Sequence, residues 1–146
     1  MAKIERFEDI EAWKEARKLA REIYEVTRRG GFRQDRDLRD QLRRAAVSVM
    51  ANIAEGFDAG STPEFQRFLL YALRSSSEVQ SHLYVALDQG YLDDKWFALL
   101  YDRSRSVKNL IGGFRRYLRS ATLSRSGSRA STSTTKPEPR TGNRQP

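Results

Sequence analysis

The side chains in this sequence whose types could make or break bonds are His82, Glu78 four residues before it, and the serines at 48, 75, 76 and 77. None belongs to a working constellation. His82 is the only histidine, so a two-histidine metal site cannot form within one subunit. Carboxylate-bridged metal bundles need a Glu-x-x-His pair on each of two helices, whereas Glu78 and His82 are four apart and have no second copy. The serines lack an adjacent general base. Cysteine is absent, which excludes disulfides and thiol chemistry. No strand leads into a glycine-rich phosphate loop. The expectation is a protein that is not an enzyme and that takes no metal and no cofactor.

Binding chemistry is better represented. The 146 residues include 27 Lys and Arg against 19 Asp and Glu, a net charge of +8. Five basic side chains and one acidic one follow Ala121, so half of the excess sits in the last sixth of the chain. A basic balance of this size suits nucleic acid or another anionic surface. Phosphate recognition needs several cations on one rigid surface, each contributing through counterion release. Arg43, Lys108, Arg115, Arg116 and Arg119 are the candidates. Arg103 and Arg105 extend the same helix's basic side, offset only by Asp102. The helices are too long and too evenly amphipathic for a helix-turn-helix, so the expectation is recognition of structured RNA or DNA by charge and shape. The rival is a protein-binding scaffold with no direct nucleic-acid role, whose charge serves solubility or an acidic protein partner.

Four helices must position these groups. The first spans about Phe7 to Arg29, with Ile10, Trp13, Leu19, Ala20, Ile23, Tyr24 and Thr27 at three- and four-residue spacing. Its Glu11, Glu15, Glu22 and Glu25 alternate with Lys14, Lys18 and Arg21 as on a solvated face. Gly30-Gly31 is read as its stop, with Phe32 tucking the following loop onto the core. The second helix runs from about Arg36 to Gly56. The third starts at Ser61-Thr62-Pro63-Glu64, a capping residue followed by a first-turn proline and an acid, and ends at Gly90. Its Ser75-Ser76-Ser77 run is poor by propensity and suggests a close helix crossing. The fourth begins at a cap on Asp93 or Asp94. Its Gly112-Gly113 costs about 1 kcal/mol per glycine against alanine, which suggests tight packing there. From Thr122 the apolar period vanishes, and Ser124 to Pro146 has the composition of a disordered tail. The expected architecture is therefore an all-α, antiparallel up-down-up-down four-helix bundle over residues 1–121, with a disordered basic Ser/Thr/Arg/Pro tail over 122–146. The N-terminus lacks the apolar core of a signal peptide, and no apolar run is long enough to span a bilayer. A cytoplasmic protein without a membrane partner is expected.

The second helix carries the most information. Leu38, Leu42, Ala45, Val49 and Ile53 fall in one stripe roughly 80° wide, an ordinary bundle seam. Val47, Met50, Ala51 and Ala54 lie on the opposite side, where a surface helix should be charged. Burial on both sides implies a second subunit, with these four residues at the oligomer interface. Gln41, Arg44, Ser48, Asn52 and Glu55 form a polar strip between the two. Arg44 and Glu55 are too far apart to pair with each other, and Glu78 on the third helix is a candidate partner. These six residues are read as a structural polar network that sets helix register.

Gln41-Leu42-Arg43-Arg44-Ala45-Ala46-Val47-Ser48-Val49, followed by Ala51-Asn52-Ile53-Ala54-Glu55-Gly56, resembles the signature of a bacterial four-helix-bundle family. Its members include proteins encoded by intervening sequences within 23S ribosomal RNA genes, also labelled S23 ribosomal protein. Trp13 and Ala16, Glu64-Phe65, Phe68-Leu69, Ser76 with Glu78, and Gly90-Tyr91-Leu92 add to the resemblance, which covers about residues 7 to 120. Met50 stands where the family often has proline, and Phe32-Arg33 replaces the usual Phe-Pro. The resemblance implies a homopentameric ring with a basic surface that engages nucleic acid. It also extends to the accessory variability determinant of diversity-generating retroelements, which implies a reverse transcriptase and RNA as further possible partners.

Overall fold

The computed structural model describes residues 3–130, with side chains described through residue 121. Every regular element among the described residues is helical: a 3-10 turn at Phe7–Asp9, α1 at Glu11–Val26, α2 at Gly30–Gln34, α3 at Arg36–Asp58, α4 at Thr62–Asp88 and α5 at Asp94–Ala130. The four long helices pack in a ring, α1 against α3, α3 against α4, α4 against α5, and α5 back against α1. This is the expected four-helix bundle. No helix is long and apolar enough to cross a membrane, among the described residues.

Local chemistry accounts for the boundaries. Asp35 accepts the backbone N–H of Leu38 at 3.2 Å and caps α3. Ser61 accepts from Glu64 at 3.3 Å ahead of Pro63, and Asp93 accepts from Trp96 at 2.7 Å. Each side chain satisfies an amide that the first helical turn leaves open. Gly90 closes α4 with φ at +75°, and the Tyr91 N–H reaches the Ala86 carbonyl at 2.9 Å. That is the Schellman arrangement, which needs a residue tolerant of the left-handed region.

Two expected stops fall elsewhere. α1 ends at Val26, short of Gly30-Gly31: beyond the buried Thr27, whose hydroxyl turns back to the Ile23 carbonyl at 2.7 Å, the Arg28 and Arg29 N–H groups tighten onto the Glu25 and Val26 carbonyls at 3.3 Å. Gly30, with φ at +48°, instead starts the short helix α2. Phe32 is buried from α2, as expected, and stacks on Tyr91 at 5.3 Å. The Tyr91 hydroxyl donates to Asp35 at 3.0 Å, tying the two loops at that end of the bundle together. Gly56 is also not a stop, since α3 continues to Asp58. A Cβ there would stand 2.8 Å from the Phe68 Cβ and 2.9 Å from the Phe65 ring. Glycine is required because α3 and α4 approach so closely.

The core follows the seam read from the second helix: Leu42, Val49 and Ile53 are fully buried with Leu19, Ile23, Leu69, Leu83, Leu100 and Ile111. The serine run does mark a close crossing. Ser75 meets Ser48 on α3 at 2.9 Å, and the buried Ser104 on α5 donates to the Ser76 carbonyl at 3.2 Å. Gly112-Gly113 does not: the nearest atoms to a Cβ there belong to Arg116 on the same helix, at 3.6 and 3.7 Å. α5 also runs on to Ala130, nine residues past the expected end of the bundle at 121. Loss of the apolar period removes a packing face, not the backbone's capacity to stay helical, and Leu, Arg and Ala in that stretch are good helix formers. The rest of the expected tail, residues 131–146, lies outside the described residues.

Candidate nucleic-acid interface

The cations of α5 divide between two seams. On the α1 side, Arg103 reaches Glu15 at 3.0 Å and Glu22 at 2.8 Å, with all three side chains about a fifth to a quarter exposed. Glu15 and Glu22 are seven residues apart and share one face of α1, so a single guanidinium bridges both. Burial pushes the Glu15 carboxyl up, but hydrogen bonds from Lys18 and Arg103 outweigh it and hold the group below the usual carboxylate range. The hydrogen bond to Glu22 raises Arg103 further. Arg105 pairs with Asp102 at 3.5 Å. The basic side expected along α5 is therefore partly neutralised: two of its arginines are committed to carboxylates, one of them across a helix seam that spacing within α5 does not reveal.

The α4 side differs. Lys108 donates to the Ser77 hydroxyl at 3.1 Å and the Gln80 amide oxygen at 3.2 Å. Arg115 donates from Nε to Gln66 Oε1 at 2.9 Å, and Gln66 returns a hydrogen bond to the Arg115 carbonyl at 2.9 Å. Their partners are neutral. Among the described residues, Lys108, Arg115, Arg116 and Arg119 form no ion pair, in contrast to Arg103 and Arg105. Arg116 and Arg119 are exposed. Lys108 and Arg115 are thus oriented by hydrogen bonds while their charge stays available.

Arg43 stands apart from these four. It faces α1, where its Nε donates to Thr27 at 2.8 Å and its guanidinium lies 4.6 Å from the Tyr24 ring centre. It locks the end of α1 against α3 on a different seam.

The polar strip of α3 forms only in part. Asn52 donates to the Ser48 carbonyl at 2.8 Å and hydroxyl at 3.0 Å, and Ser48 continues the chain to Ser75. Gln41, Arg44 and Glu55 are exposed and stand outside this chain. Glu78 does not pair with Arg44: its carboxylate meets His82 Nε2 at 3.3 Å, one turn along its own helix. Arg44 instead contributes, after Arg39 and Arg43, to holding the Asp40 carboxyl below its ordinary range.

On the outward side of α3, Val47 is 41% exposed, while Met50, Ala51 and Ala54 are partly covered. The single chain buries only one of the two apolar sides of this helix.

A cavity of about 330 Å³ opens between the N-terminal segment and α5, lined by Ile4, Ile10, Leu110, Phe114 and Tyr117 with Asp9 and Glu11. Both acids are occupied, Asp9 with the backbone N–H groups of Glu5 and Arg6 and Glu11 with Lys14. No nucleophile and base converge there. Among the described residues, no cluster of three metal-ligating side chains exists.

The fold and these seams define an all-α, four-helix bundle with a basic edge. Residues 8–113 match the model of the 23S rRNA-intervening sequence protein family, and the chain belongs to that family. It is also similar in structure to a protein of unknown function from the S23 ribosomal protein family of Bacteroides thetaiotaomicron. That likeness has a TM-score of 0.65 at 19% identity and covers 71% of this chain and 97% of that one. No curated protein matches the sequence. Neither description names an enzymatic activity.

Proposed function

We propose that the chain is a non-enzymatic subunit of an oligomer that binds structured RNA or DNA by charge and shape through the α4/α5 edge. The observation that carries this reading is the pairing of Lys108 and Arg115 with neutral partners, Ser77, Gln80 and Gln66. A surface whose cations served only solubility would gain from carboxylates at those positions, as the α1 seam does around Arg103. Fixed but unneutralised cations are what phosphate binding by counterion release requires. Arg116 and Arg119 continue the same edge toward the end of the helix.

Self-association would use the outward face of α3, where Val47, Met50, Ala51 and Ala54 let another backbone approach closely. Five copies is the number that the family resemblance implies. Val47→Glu or Ala51→Glu places a carboxylate without a partner in that contact, a costly burial, and should reduce the mass in solution to that of the monomer. A variant that keeps the wild-type mass removes α3 from the assembly.

The binding test is fluorescence anisotropy of the full chain with a structured RNA and a duplex DNA, at low and near-physiological salt. Arg115→Glu with Arg116→Glu should weaken both by about tenfold or more, with the salt slope reduced by about two. Unchanged affinity with the fold intact would leave the protein-binding scaffold as the better reading.

A further inference from the structure

The α4/α5 edge carries more than charge. Where α4 ends and α5 begins, Tyr84 packs against Phe97 at 5.0 Å and Tyr101 at 5.7 Å between ring centres, and Phe97 lies nearly parallel to Tyr101 at 5.5 Å. This cluster stands outside the bundle core: Tyr84 is 50% exposed, and neither Phe97 nor Tyr101 is fully buried. Aliphatic side chains would close a helix seam as well. Phe97 covers Tyr101 and the Arg105 guanidinium lies 5.4 Å from the Tyr101 ring centre, so the flat, polarisable surface left open at the rim, which closing the seam does not need, is chiefly that of Tyr84.

The cluster is collinear with the cations. Tyr101, Lys108 and Arg115 are spaced by seven residues on one face of α5, so they follow each other at about 10.5 Å intervals along roughly 21 Å of helix. On the α4 side of the same edge, Tyr84, Gln80, Ser77 and Gln66 run in the opposite direction and hold these groups in place. The edge therefore begins with a stacking platform and continues as a row of fixed positive charges.

A duplex fits only half of this. Its phosphates could meet Lys108 and Arg115, but its bases are stacked on one another and, away from the two ends, offer no free face to a ring. An unpaired strand or loop offers both, and stacking platforms joined to cationic tracks are how single strands are held without sequence readout. We infer that the α4/α5 edge is a track for single-stranded nucleic acid, including loops of a structured one, in which the Tyr84–Phe97–Tyr101 cluster stacks an unpaired base while Lys108 and Arg115 hold the adjoining phosphates. This inference rests on the proposed nucleic-acid reading and narrows it to unpaired segments.

The test measures anisotropy of the full chain with two labelled probes: a single-stranded RNA of about 12 nucleotides without self-complementarity, and a blunt duplex of the same length, within the size range of known single-strand sites. Tyr84→Ala should weaken single-strand binding about tenfold and leave duplex binding within about twofold, while Tyr84→Phe should retain wild-type affinity for both. Tyr101→Leu, which removes a ring but keeps apolar packing, gives the same readout should Tyr84→Ala lower the melting temperature. Lys108→Glu with Arg115→Glu should weaken both probes. If that charge pair weakens both but loss of the rings changes neither, or changes both equally, the single-strand track is wrong and the charge-based reading stands. If the charge pair changes neither probe, both fail.

Discussion

Toward α1, α5 sets Arg103 between two carboxylates, Glu15 at 3.0 Å and Glu22 at 2.8 Å; toward α4, it sets Lys108 and Arg115 against a hydroxyl and two amide side chains. The same helix supplies the cations in both places, and the geometry is comparably tight. The difference lies in what faces them. Carboxylates turn a cation into a clasp between helices, whose charge is spent inside the protein. Amides and hydroxyls fix the side chain and leave its charge outward-acting. Local charge density along one helix thus says little about where a basic protein can bind an anion; the neighbouring helix decides.

Exchanging the two kinds of partner tests this directly. Gln66→Glu with Gln80→Glu gives the α4 seam the chemistry of the α1 seam. Nucleic-acid affinity should fall by about 10- to 100-fold at low salt, because the two cations proposed to bind phosphate are neutralised at their source, while the melting temperature changes little, the new ion pairs offsetting the lost Gln66 hydrogen bond to the Arg115 carbonyl. Affinity that survives this exchange would mean that the cations facing α4 do not contact phosphate.

The converse change acts on stability. Arg103→Ala leaves Glu15 and Glu22, side by side on one face of α1, without the cation they share at a partly buried seam, and should cost about 2 kcal/mol in denaturant unfolding, between the values for exposed and buried pairs. Nucleic-acid affinity should stay within about twofold. A loss of binding without a loss of stability would reverse the roles assigned to the two seams.

A smaller effect is expected from acid. The folded Glu15 carboxyl lies below its ordinary value of 4.5, so its contribution is complete above the unfolded value and is lost as pH falls through the lower, folded one. Between about pH 5 and pH 3, the wild type should lose more stability than Glu15→Gln, in which that proton linkage is absent. Parallel thermal melts of the two proteins measure the difference, and identical slopes would detach Glu15 from the clasp.

The bundle was legible because its signals are local. The stripe of Leu38, Leu42, Ala45, Val49 and Ile53 requires only a 3.6-residue period, and the caps at Ser61 and Asp93 require only the next three residues. The errors arose where a local signal met a distant partner. Gly56 reads as a stop but serves a close approach to Phe65 and Phe68. Arg43 reads as a free cation at a helix entrance but is turned onto Thr27 and Tyr24. Glu78 is the opposite case: it reads as a candidate partner for Arg44 across helices, yet His82, one turn away on its own helix, meets it. The aromatic cluster is not legible in the sequence either: Tyr84 lies on one helix and Phe97 and Tyr101 on another, outside the apolar period of each, and neither helix alone shows that they meet.

Composition and period were enough to decide that the bundle is helical, which face of its second long helix packs into the core, where most helices begin, and that the balance of charge is basic. These depend on residues within a turn or two of each other. Which cations remain available was decided only in three dimensions. Glu15 and Arg103 are 88 residues apart, and Gln66 and Arg115 are 49 apart. Whether an arginine meets a carboxylate or an amide depends on the register of two packed helices, which for α4 against its neighbours is marked by the close approach at Gly56 and the hydroxyl hydrogen bonds of Ser75 and Ser104.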